Sequence, residues 1–309
     1  MYEVQTPLIL FVYNRENTTR QLLDALSHVK ASKIYVFADG PKKEIFQDYD
    51  QCAKVRALID QFSKRSSIKK FYSDINRGCE KQIPSGISEV LSHEKRCIVL
   101  EDDCIPESSF FRYCDELLDY YENDTRIMTI SGTNIQVKKR TSDSYYFSKF
   151  THSWGWATWK RAWQHYDHNM NKWQELKTTN WLREHFTREL SIKIWTNIFD
   201  RVVAEQMNAW DYRWLYSMWL KRGYTIIPSV NLVKHIGFGS ESTHFRNTTQ
   251  KNEMKTRQIE FPLRHPKVVS CHALADEFTQ RIIHENRKSL LSKIAHFMKL
   301  QSLYLRMQP

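Results

Sequence analysis

Three consecutive acidic residues, Glu101, Asp102 and Asp103, follow the strand-like run 96–100 and are here called the acidic triplet. Adjacent carboxylates repel one another and raise each other's pKa, and a divalent cation removes that cost. Mg²⁺ and Mn²⁺ prefer oxygen ligands and commonly bridge one or two carboxylates to substrate phosphates. The triplet therefore predicts a Mn²⁺ or Mg²⁺ site that holds a diphosphate. The alternative is a set of solvated or capping acids.

The elements around the triplet alternate between strands and helices. The sequence predicts strands at 8–13, 33–38, 68–72 and 96–100 and helices at 18–29, 44–62, 80–92 and 110–121. It also predicts strands near 127–130 and 224–227 and a loop at 228–244. Such alternation indicates an open α/β sheet, in which ligands bind beyond the carboxyl ends of the strands. Polar residues follow three of these strands, at Asn14-Arg15, at Asp39-Gly40 and at the acidic triplet. We expect all three to converge on one crevice.

Composition excludes several classes of protein. The chain has 309 residues, of which 41% are hydrophobic and 26% charged, so it can bury a sizeable core and is not disordered. Its six cysteines lack CxxC spacing, which favours reduced thiols in a cytoplasmic protein. The run 8–13 is too short for a membrane span and is predicted to be a strand. A net charge of +11 indicates an anionic partner.

The middle of the chain is rich in tryptophan. All ten tryptophans lie between residues 154 and 219. The rings of those at 154–163 could stack on sugar rings, but at their close spacing a place in the core is the favoured interpretation.

Three motifs carry a resemblance to a known family. They are IVLEDDCIP at 98–106, GWATWKRAW at 155–163, and NLV at 231–233 followed by IGFG at 236–239. Together they resemble the GT-A glycosyltransferases, in the form of the N-acetylglucosaminyltransferase I catalytic domain and its bacterial relatives. The resemblance covers about residues 5 to 245. It implies a Rossmann-like, mixed, mostly parallel sheet flanked by helices.

The resemblance also suggests a division of the chain. A GT-A domain would occupy residues 1–245, with a nucleotide-sugar-binding half at 1–107 and an acceptor half at 108–245. Residues 246–309 would form a C-terminal helical extension, which has no counterpart in the family.

The family's donor-site residues can be matched to positions in this chain. Asp103 would bind the metal directly, while Glu101 and Asp102 would hold the ribose or the metal's other ligands. Asn14 and Arg15 match a turn whose arginine approaches the nucleotide, and a guanidinium suits a diphosphate. The alternative for Arg15 is an ordinary surface charge.

Asp39 matches a family aspartate that accepts a hydrogen bond from uracil. The alternative here is an ordinary Asp-Gly turn.

The acceptor side depends on a carboxylate that acts as general base. In the family it lies in a Trp-Asp-(Asp/X)-Trp sequence. Here WDYRW at 210–214 takes that place and predicts Asp211 as the base, although the Tyr-Arg filling departs from the pattern. The alternative is that Asp211 is the N-cap of a helix. His235 matches a further metal or phosphate ligand, with a structural histidine as the alternative.

The predicted activity is transfer of a sugar from a nucleotide diphosphate sugar, a UDP-sugar by the resemblance, to a glycan or lipid-linked oligosaccharide with inversion. A sugar nucleotidyltransferase shares this architecture, but its first strand is usually followed by a glycine-rich loop, and residues 12–17 contain no glycine. A carbohydrate-binding protein without catalysis also stays open. Nucleic acid is not predicted as a partner, because the cations are spread along the chain.

The last 30 residues are cationic and helical in pattern. From Glu277 onward, basic residues alternate with leucine, isoleucine and phenylalanine. Such a helix can lie on an anionic bilayer, which would make the protein peripheral on the inner face of the membrane. It can equally pack on the body of the protein.

Overall fold

The computed structural model describes residues 2–63, 67–237 and 255–285. The strands are β1 Glu3–Val4, β2 Leu8–Val12, β3 Lys30–Ala31, β4 Ile34–Ala38, β5 Ile68–Tyr72, β6 Arg96–Glu101, β7 Cys104–Pro106, β8 Ile127–Ser131, β9 Tyr145–Ser148, β10 Trp156–Trp159, β11 Tyr224–Pro228 and β12 Val233–His235. The helices are α1 Glu16–Ser27, α2 Phe46–Phe62, α3 Cys79–His93, α4 Ser108–Tyr120, α5 Lys160–Trp163, α6 Trp173–Leu176, α7 Trp181–His185, α8 Glu189–Val203, α9 Trp210–Leu220 and α10 Ala273–Thr279. A π-helical segment, Gln280–Glu285, continues α10.

Eight strands form the central sheet in the order β5-β4-β2-β6-β10-β8-β11-β9. Strands β5, β4, β2 and β6 pair in parallel, as do β8 and β11. Strand β10 is antiparallel to β6 and β8, and β9 is antiparallel to β11. The predicted mixed, mostly parallel sheet flanked by helices is therefore confirmed.

The central strands are buried on both faces, as the continuous apolar runs predicted. In β2, Leu8 and Leu10 pack into one hydrophobic cluster while Ile9 and Phe11 pack into another on the opposite face. Because parallel strands point the same way, the chain segments that leave β2, β4 and β6 meet at one edge of the sheet.

Core packing accounts for most of the tryptophans. Nine of the ten have less than a tenth of their surface exposed, and Trp154 is partly buried. A cluster formed mainly by the helices between 170 and 220 contains Trp173, Trp181, Trp195 and Trp219. Of the tryptophans at 154–163, for which a core role was preferred over sugar stacking, Trp156, Trp159 and Trp163 are buried.

Strands β9, β10 and β12 were not expected from the sequence. The segment 228–244 was predicted to be a loop, yet β12 pairs with β7 in a separate two-stranded sheet. Residues 238–244 of that predicted loop lie outside the described residues.

The described part of the predicted C-terminal extension packs on the body. The Gln258 amide donates to Glu107, and Arg188 forms an ion pair with Glu285 at 2.7 Å. Helix α10 begins at Ala273, earlier than the change at Glu277 suggested. Among the described residues no helix is long and apolar enough to cross a membrane. Residues 286–309, which carry most of the predicted bilayer-binding helix, lie outside the described residues.

Candidate active site

The acidic triplet lies at the carboxyl edge of the sheet, as predicted. Strand β6 ends at Glu101, and the turn that follows leads directly into β7. The Asp102 amide donates to the Phe11 carbonyl at 3.0 Å, which ties the triplet to the end of β2. Asp102 and Asp103 are buried. Neighbouring β2 on one side and β10 on the other therefore fix where these carboxylates lie.

Arg15 bridges two members of the acidic triplet. It precedes α1, just beyond β2, and its Nη1 donates to Asp103 Oδ2 at 2.7 Å. Its Nη2 donates to Asp102 Oδ1. The sequence correctly predicted that Arg15 lies at the carboxyl edge of the sheet, but it did not predict that Arg15 forms ion pairs with two carboxylates.

His235 lies on the other side of Asp103. Strand β12 pairs with β7 so that His235 is opposite Cys104, and the Ile236 amide donates to the Asp103 carbonyl at 2.8 Å. The imidazole Nε2 is 3.4 Å from Asp103 Oδ2. Its ring packs on Trp154, with 4.7 Å between the ring centroids. The structure therefore brings together Asp103 and His235, the two residues predicted as metal ligands.

Gly237 allows the chain to pass close to the Asp103 carboxylate. A Cβ at this position would lie 2.4 Å from Asp103 Oδ2 and 2.9 Å from His235 Cε1. Gly237 lies in the IGFG motif, but its residue type alone did not indicate this close approach to Asp103.

Electrostatics separate the three acids. Burial, together with the charges of Asp103 and Asp102, raises the pKa of Glu101 to about 8. Burial also raises the pKa of Asp102 to about 6, even though Arg15 opposes the shift. For Asp103, burial is outweighed by hydrogen bonding to His235 and by Arg15, so its pKa lies well below the usual range. Asp103 is thus the member that holds its negative charge most firmly.

The residues around Asp103 fit a small divalent cation. Two ligands about 2.1 Å from such an ion at right angles are about 3 Å apart, close to the spacing of Asp103 Oδ2 and His235 Nε2. Asp102 Oδ2 is buried and has no hydrogen-bond partner among the described residues. Within residues 2–63, 67–237 and 255–285 no set of three acidic, histidine or cysteine side chains could hold a metal. Waters and substrate phosphates would have to complete the coordination, as is usual for Mg²⁺.

Asp39, at the end of β4, holds the loop that precedes α3. Its Oδ1 accepts from the amides of Gly40 at 2.9 Å and Arg77 at 2.8 Å. Its Oδ2 accepts from the Gly78 amide at 2.9 Å and from Asn76 Nδ2 at 3.3 Å. A carboxylate can accept roughly four hydrogen bonds, so these four donors occupy all the acceptor sites of Asp39. Asp39 therefore shapes this corner through contacts 37 to 39 residues away in sequence.

Asn14 is turned toward Asp48 of α2 rather than toward the acidic triplet. Its Nδ2 donates to Asp48 Oδ1 at 2.6 Å, while Asp48 Oδ2 accepts from the Lys42 amide at 3.0 Å and from the Tyr13 hydroxyl. Asp48, which the sequence did not single out, thus holds the turn after β2.

Asp211 lies in the first turn of α9, whose N-cap is Ala209. It is not the N-cap residue, so that interpretation is wrong, although a carboxylate in the first turn still suits the helix dipole. The negative charge of Asp211 contributes to the raised pKa of Glu101, so Asp211 lies near the triplet. Partial burial, then the charges of Glu101 and Asp211, raises the pKa of the Cys79 thiol to about 11.

The Tyr-Arg filling of the WDYRW sequence has a structural explanation. Arg213 is buried and donates to Glu80 Oε1 at 2.6 Å, which ties the first turn of α9 to the first turn of α3. Sequence analysis treated this arginine only as a departure from the family. A buried arginine needs a partner, but nothing in the sequence indicated which acid it would be.

Comparisons with known proteins identify no family for the chain. No family profile matches it, and no curated protein matches it. Among solved structures, S. aureus TarS 1-349 is similar over 75% of this chain and 61% of that chain, with 10% identity and a TM-score of 0.42. The mannosyltransferase PcManGT from Pyrobaculum calidifontis, in complex with GDP-Man and Mn²⁺, is similar over 51% of this chain and 45% of that chain, with 12% identity and a TM-score of 0.34.

A nucleotidyltransferase is matched at a similar level. A cytidylyltransferase from Leptospira borgpetersenii is similar over 59% of this chain and 68% of that chain, with 12% identity and a TM-score of 0.33.

The chain spans less than two thirds of the length of TarS and of the mannosyltransferase. Likenesses this weak do not distinguish sugar transfer from nucleotidyl transfer, and they give no specific support to the N-acetylglucosaminyltransferase I resemblance.

Proposed function

We propose that the chain is a metal-dependent glycosyltransferase that moves a sugar from a UDP-sugar to a glycan or lipid-linked glycan acceptor, with inversion at the anomeric carbon. The observation that carries this proposal is the meeting of Arg15, Asp103 and His235 at the carboxyl edge of the sheet. A metal-bound diphosphate needs ligands for the metal ion, which an anionic group and an imidazole can supply, and a cation for its phosphates. All three groups lie at this edge of the sheet.

The donor side follows from the geometry around Asp103. Asp103 and His235 would hold Mn²⁺ or Mg²⁺, and waters and phosphate oxygens would complete the coordination. When bound, the ion neutralises charge on the diphosphate leaving group. Arg15 supplies a planar pair of donors for the phosphate oxygens. Glu101 would hold a ribose hydroxyl through a hydrogen bond.

Recognition of uracil would take place at the corner held by Asp39. All of the acceptor sites of Asp39 are used by the protein's own donors. We propose that the longest of these contacts, the 3.3 Å hydrogen bond from Asn76, is exchanged for the uracil N–H. The three backbone donors would stay in place and keep the carboxylate in position.

On the acceptor side, Asp211 would act as general base. It would take the proton of the acceptor hydroxyl as that oxygen attacks the anomeric carbon from the face opposite the diphosphate. The ion pair of Arg213 and Glu80 fixes the first turn of α9 and so positions Asp211. The charge that Asp211 exerts on Glu101 supports this placement across the crevice from the donor.

A donor-hydrolysis screen tests the class of reaction. UDP-, GDP- and dTDP-sugars are incubated with the full chain, with and without Mn²⁺, and release of the nucleoside diphosphate is measured. We expect metal-dependent release from a UDP-sugar. Release of pyrophosphate from a nucleoside triphosphate and a sugar phosphate would support the nucleotidyltransferase instead. Absence of turnover with every donor, together with retained glycan binding, would support a carbohydrate-binding protein.

The role of Asp211 is tested with Asp211→Asn. Loss of a general base typically lowers the rate by about 10²- to 10⁴-fold, so we expect transfer to fall by that range while UDP affinity is unchanged. Asp24→Asn, an exposed neutralisation on α1, is the matched control and should leave transfer unaltered. Transfer at the normal rate in Asp211→Asn would place the base elsewhere.

A further inference from the structure

The side chain of Arg15 is engaged with the carboxylate that would bind the metal. Its Nη1 is 2.7 Å from Asp103 Oδ2, the same oxygen that lies 3.4 Å from His235 Nε2. An oxygen hydrogen-bonded to a guanidinium has less electron density to offer a cation, and the guanidinium's positive charge repels that cation. Arg15 and a metal ion therefore compete for one atom.

The local structure lets the Arg15 side chain move while its backbone stays fixed. The Arg15 carbonyl accepts from the Thr19 amide at 3.0 Å, from Thr19 Oγ1 at 2.8 Å and from Thr18 Oγ1 at 3.2 Å. The side chain is 34% exposed, and the partners of its guanidinium in the described residues are the Asp102 and Asp103 carboxylates. An arginine side chain on a fixed backbone can reach a new anionic partner by rotating its own torsions.

We propose that Arg15 is an exchangeable counter-cation: it neutralises Asp102 and Asp103 until a divalent cation binds there, and it then passes to the diphosphate of the nucleotide. This inference rests on the proposed function for the identity of the diphosphate. It makes Arg15 a positioning residue that couples the binding of cation and nucleotide.

The exchange follows from the charges. With Arg15 in place, the Asp102 and Asp103 carboxylates already have one positive partner, and burial raises the cost of leaving either of them unpaired. A divalent cation makes Arg15 superfluous there, and a diphosphate offers it two or more anionic oxygens. Because coupling between two ligands is reciprocal, each ligand should strengthen the binding of the other, and part of that coupling should depend on Arg15.

Mn²⁺ binding, measured by titration calorimetry or by the electron paramagnetic resonance signal of free Mn²⁺, tests this without any turnover. The full chain is compared with Arg15→Ala, with Arg15→Lys and with the control Arg20→Ala. Arg20 lies on the same helix and pairs with Glu16 on the surface, so its removal lowers the net charge equally. Circular dichroism and thermal melting verify that each variant is folded.

In the absence of nucleotide we expect Arg15→Ala to bind Mn²⁺ about tenfold more tightly than Arg20→Ala, the change that about 1.4 kcal/mol produces. Arg15→Lys keeps the charge but loses the planar fork, so its affinity should lie between those of Arg15→Ala and the unaltered chain. UDP should strengthen Mn²⁺ binding in the unaltered chain, and this strengthening should be several-fold smaller in Arg15→Ala.

Equal Mn²⁺ affinities in Arg15→Ala and Arg20→Ala would overturn the inference, as would UDP coupling that is undiminished in Arg15→Ala. If no form of the chain binds Mn²⁺, the inference is likewise overturned. The glycosyltransferase proposal is judged separately by the donor screen. It can survive either of the first two results, and it can fail while the Mn²⁺ shifts are observed.

Discussion

Asp39 follows β4 and Asp103 follows β6, so both lie at the same edge of the sheet, but they are held by different kinds of partner. Three of the four hydrogen bonds to Asp39 come from backbone amides. Asp103 Oδ2 instead contacts the side chains of Arg15 and His235. Backbone donors are fixed by the path of the chain, whereas side chains can rotate toward a new partner.

This difference separates a carboxylate held mainly by backbone amides from one held by side chains. Sequence alone placed both aspartates at strand ends and gave both a place at the donor site. The structure shows that Asp39 organises the loop 76–78, which leads into α3, while Asp103 has partners that can be replaced. Isosteric substitutions test this difference: the main effect should be on donor turnover at Asp103 and on stability at Asp39.

The largest effect is expected for Asp103→Asn. The variant loses the negative charge that would hold the cation, and turnover of the donor should fall by about 10³-fold, the scale seen when a preorganised charge-stabilising group is removed. Its stability should fall as well, because His235 and Arg15 lower the pKa of Asp103 and its ionised form therefore stabilises the fold. Donor hydrolysis and urea unfolding measure the two quantities. A stable variant with undiminished, metal-dependent hydrolysis would show that Asp103 does not serve the cation.

The next effect is expected for Asp39→Asn, on stability. Whichever way the amide is oriented, its NH₂ group faces donors, so at least one backbone amide loses its acceptor. An unsatisfied buried donor costs about 1–3 kcal/mol, and the loss of charge-assisted bonds adds to this, so we expect about 3 kcal/mol of destabilisation. Urea unfolding measures it. A destabilisation of less than about 1 kcal/mol in Asp39→Asn would mean that the backbone amides at Asp39 do not depend on its carboxylate.

Sequence predicted the strand ends well because continuous apolar runs are characteristic of parallel strands buried on both faces. It failed where packing overrides local pattern. The segment WATW at 156–159 is buried at every position, and its aromatic content gave no period that would distinguish strand from helix. The strand that ends at His235 was predicted to be a loop, because its pairing with β7 depends on residues more than a hundred positions away.

The candidate site shows the same limit. The types of residue at strand ends indicated a cation and a diphosphate, but partners distant in sequence decide what each side chain does. Asp39 is occupied by residues 76–78, and Arg213 is neutralised by Glu80. Such contacts leave no periodicity in the sequence, so they could not be predicted from it.

A smaller effect, on the affinity of the Asp103 site for Mn²⁺, is expected for Gly237→Ala. The added Cβ would lie 2.4 Å from Asp103 Oδ2, so the carboxylate or the chain at Gly237 must shift. We expect Mn²⁺ affinity to fall by about tenfold, the lower range for disturbing the surroundings of a metal ligand. The same substitution in an Asp103→Asn background should have no further effect, since neighbouring changes that act through one group are not additive. A full tenfold loss in that background as well would mean that Gly237 acts through something other than Asp103.

The smallest effect is expected at Asp48, whose partners combine the two kinds, a backbone amide and two side chains. Burial would raise the pKa of Asp48, but hydrogen bonds from Tyr13, the Lys42 amide and Asn14 outweigh it, and the pKa is lowered. A carboxylate with a lowered pKa in the folded state contributes stability above its unfolded pKa of about 3.9, and that contribution is lost as pH falls through the folded value. The stability difference between the unaltered chain and Asp48→Asn, from urea unfolding, should therefore be constant between pH 7 and pH 5 and should shrink toward pH 3. A difference that grew on acidification would contradict the assigned sign, and would mean that Asp48 takes up its proton more readily in the folded chain than in the unfolded one.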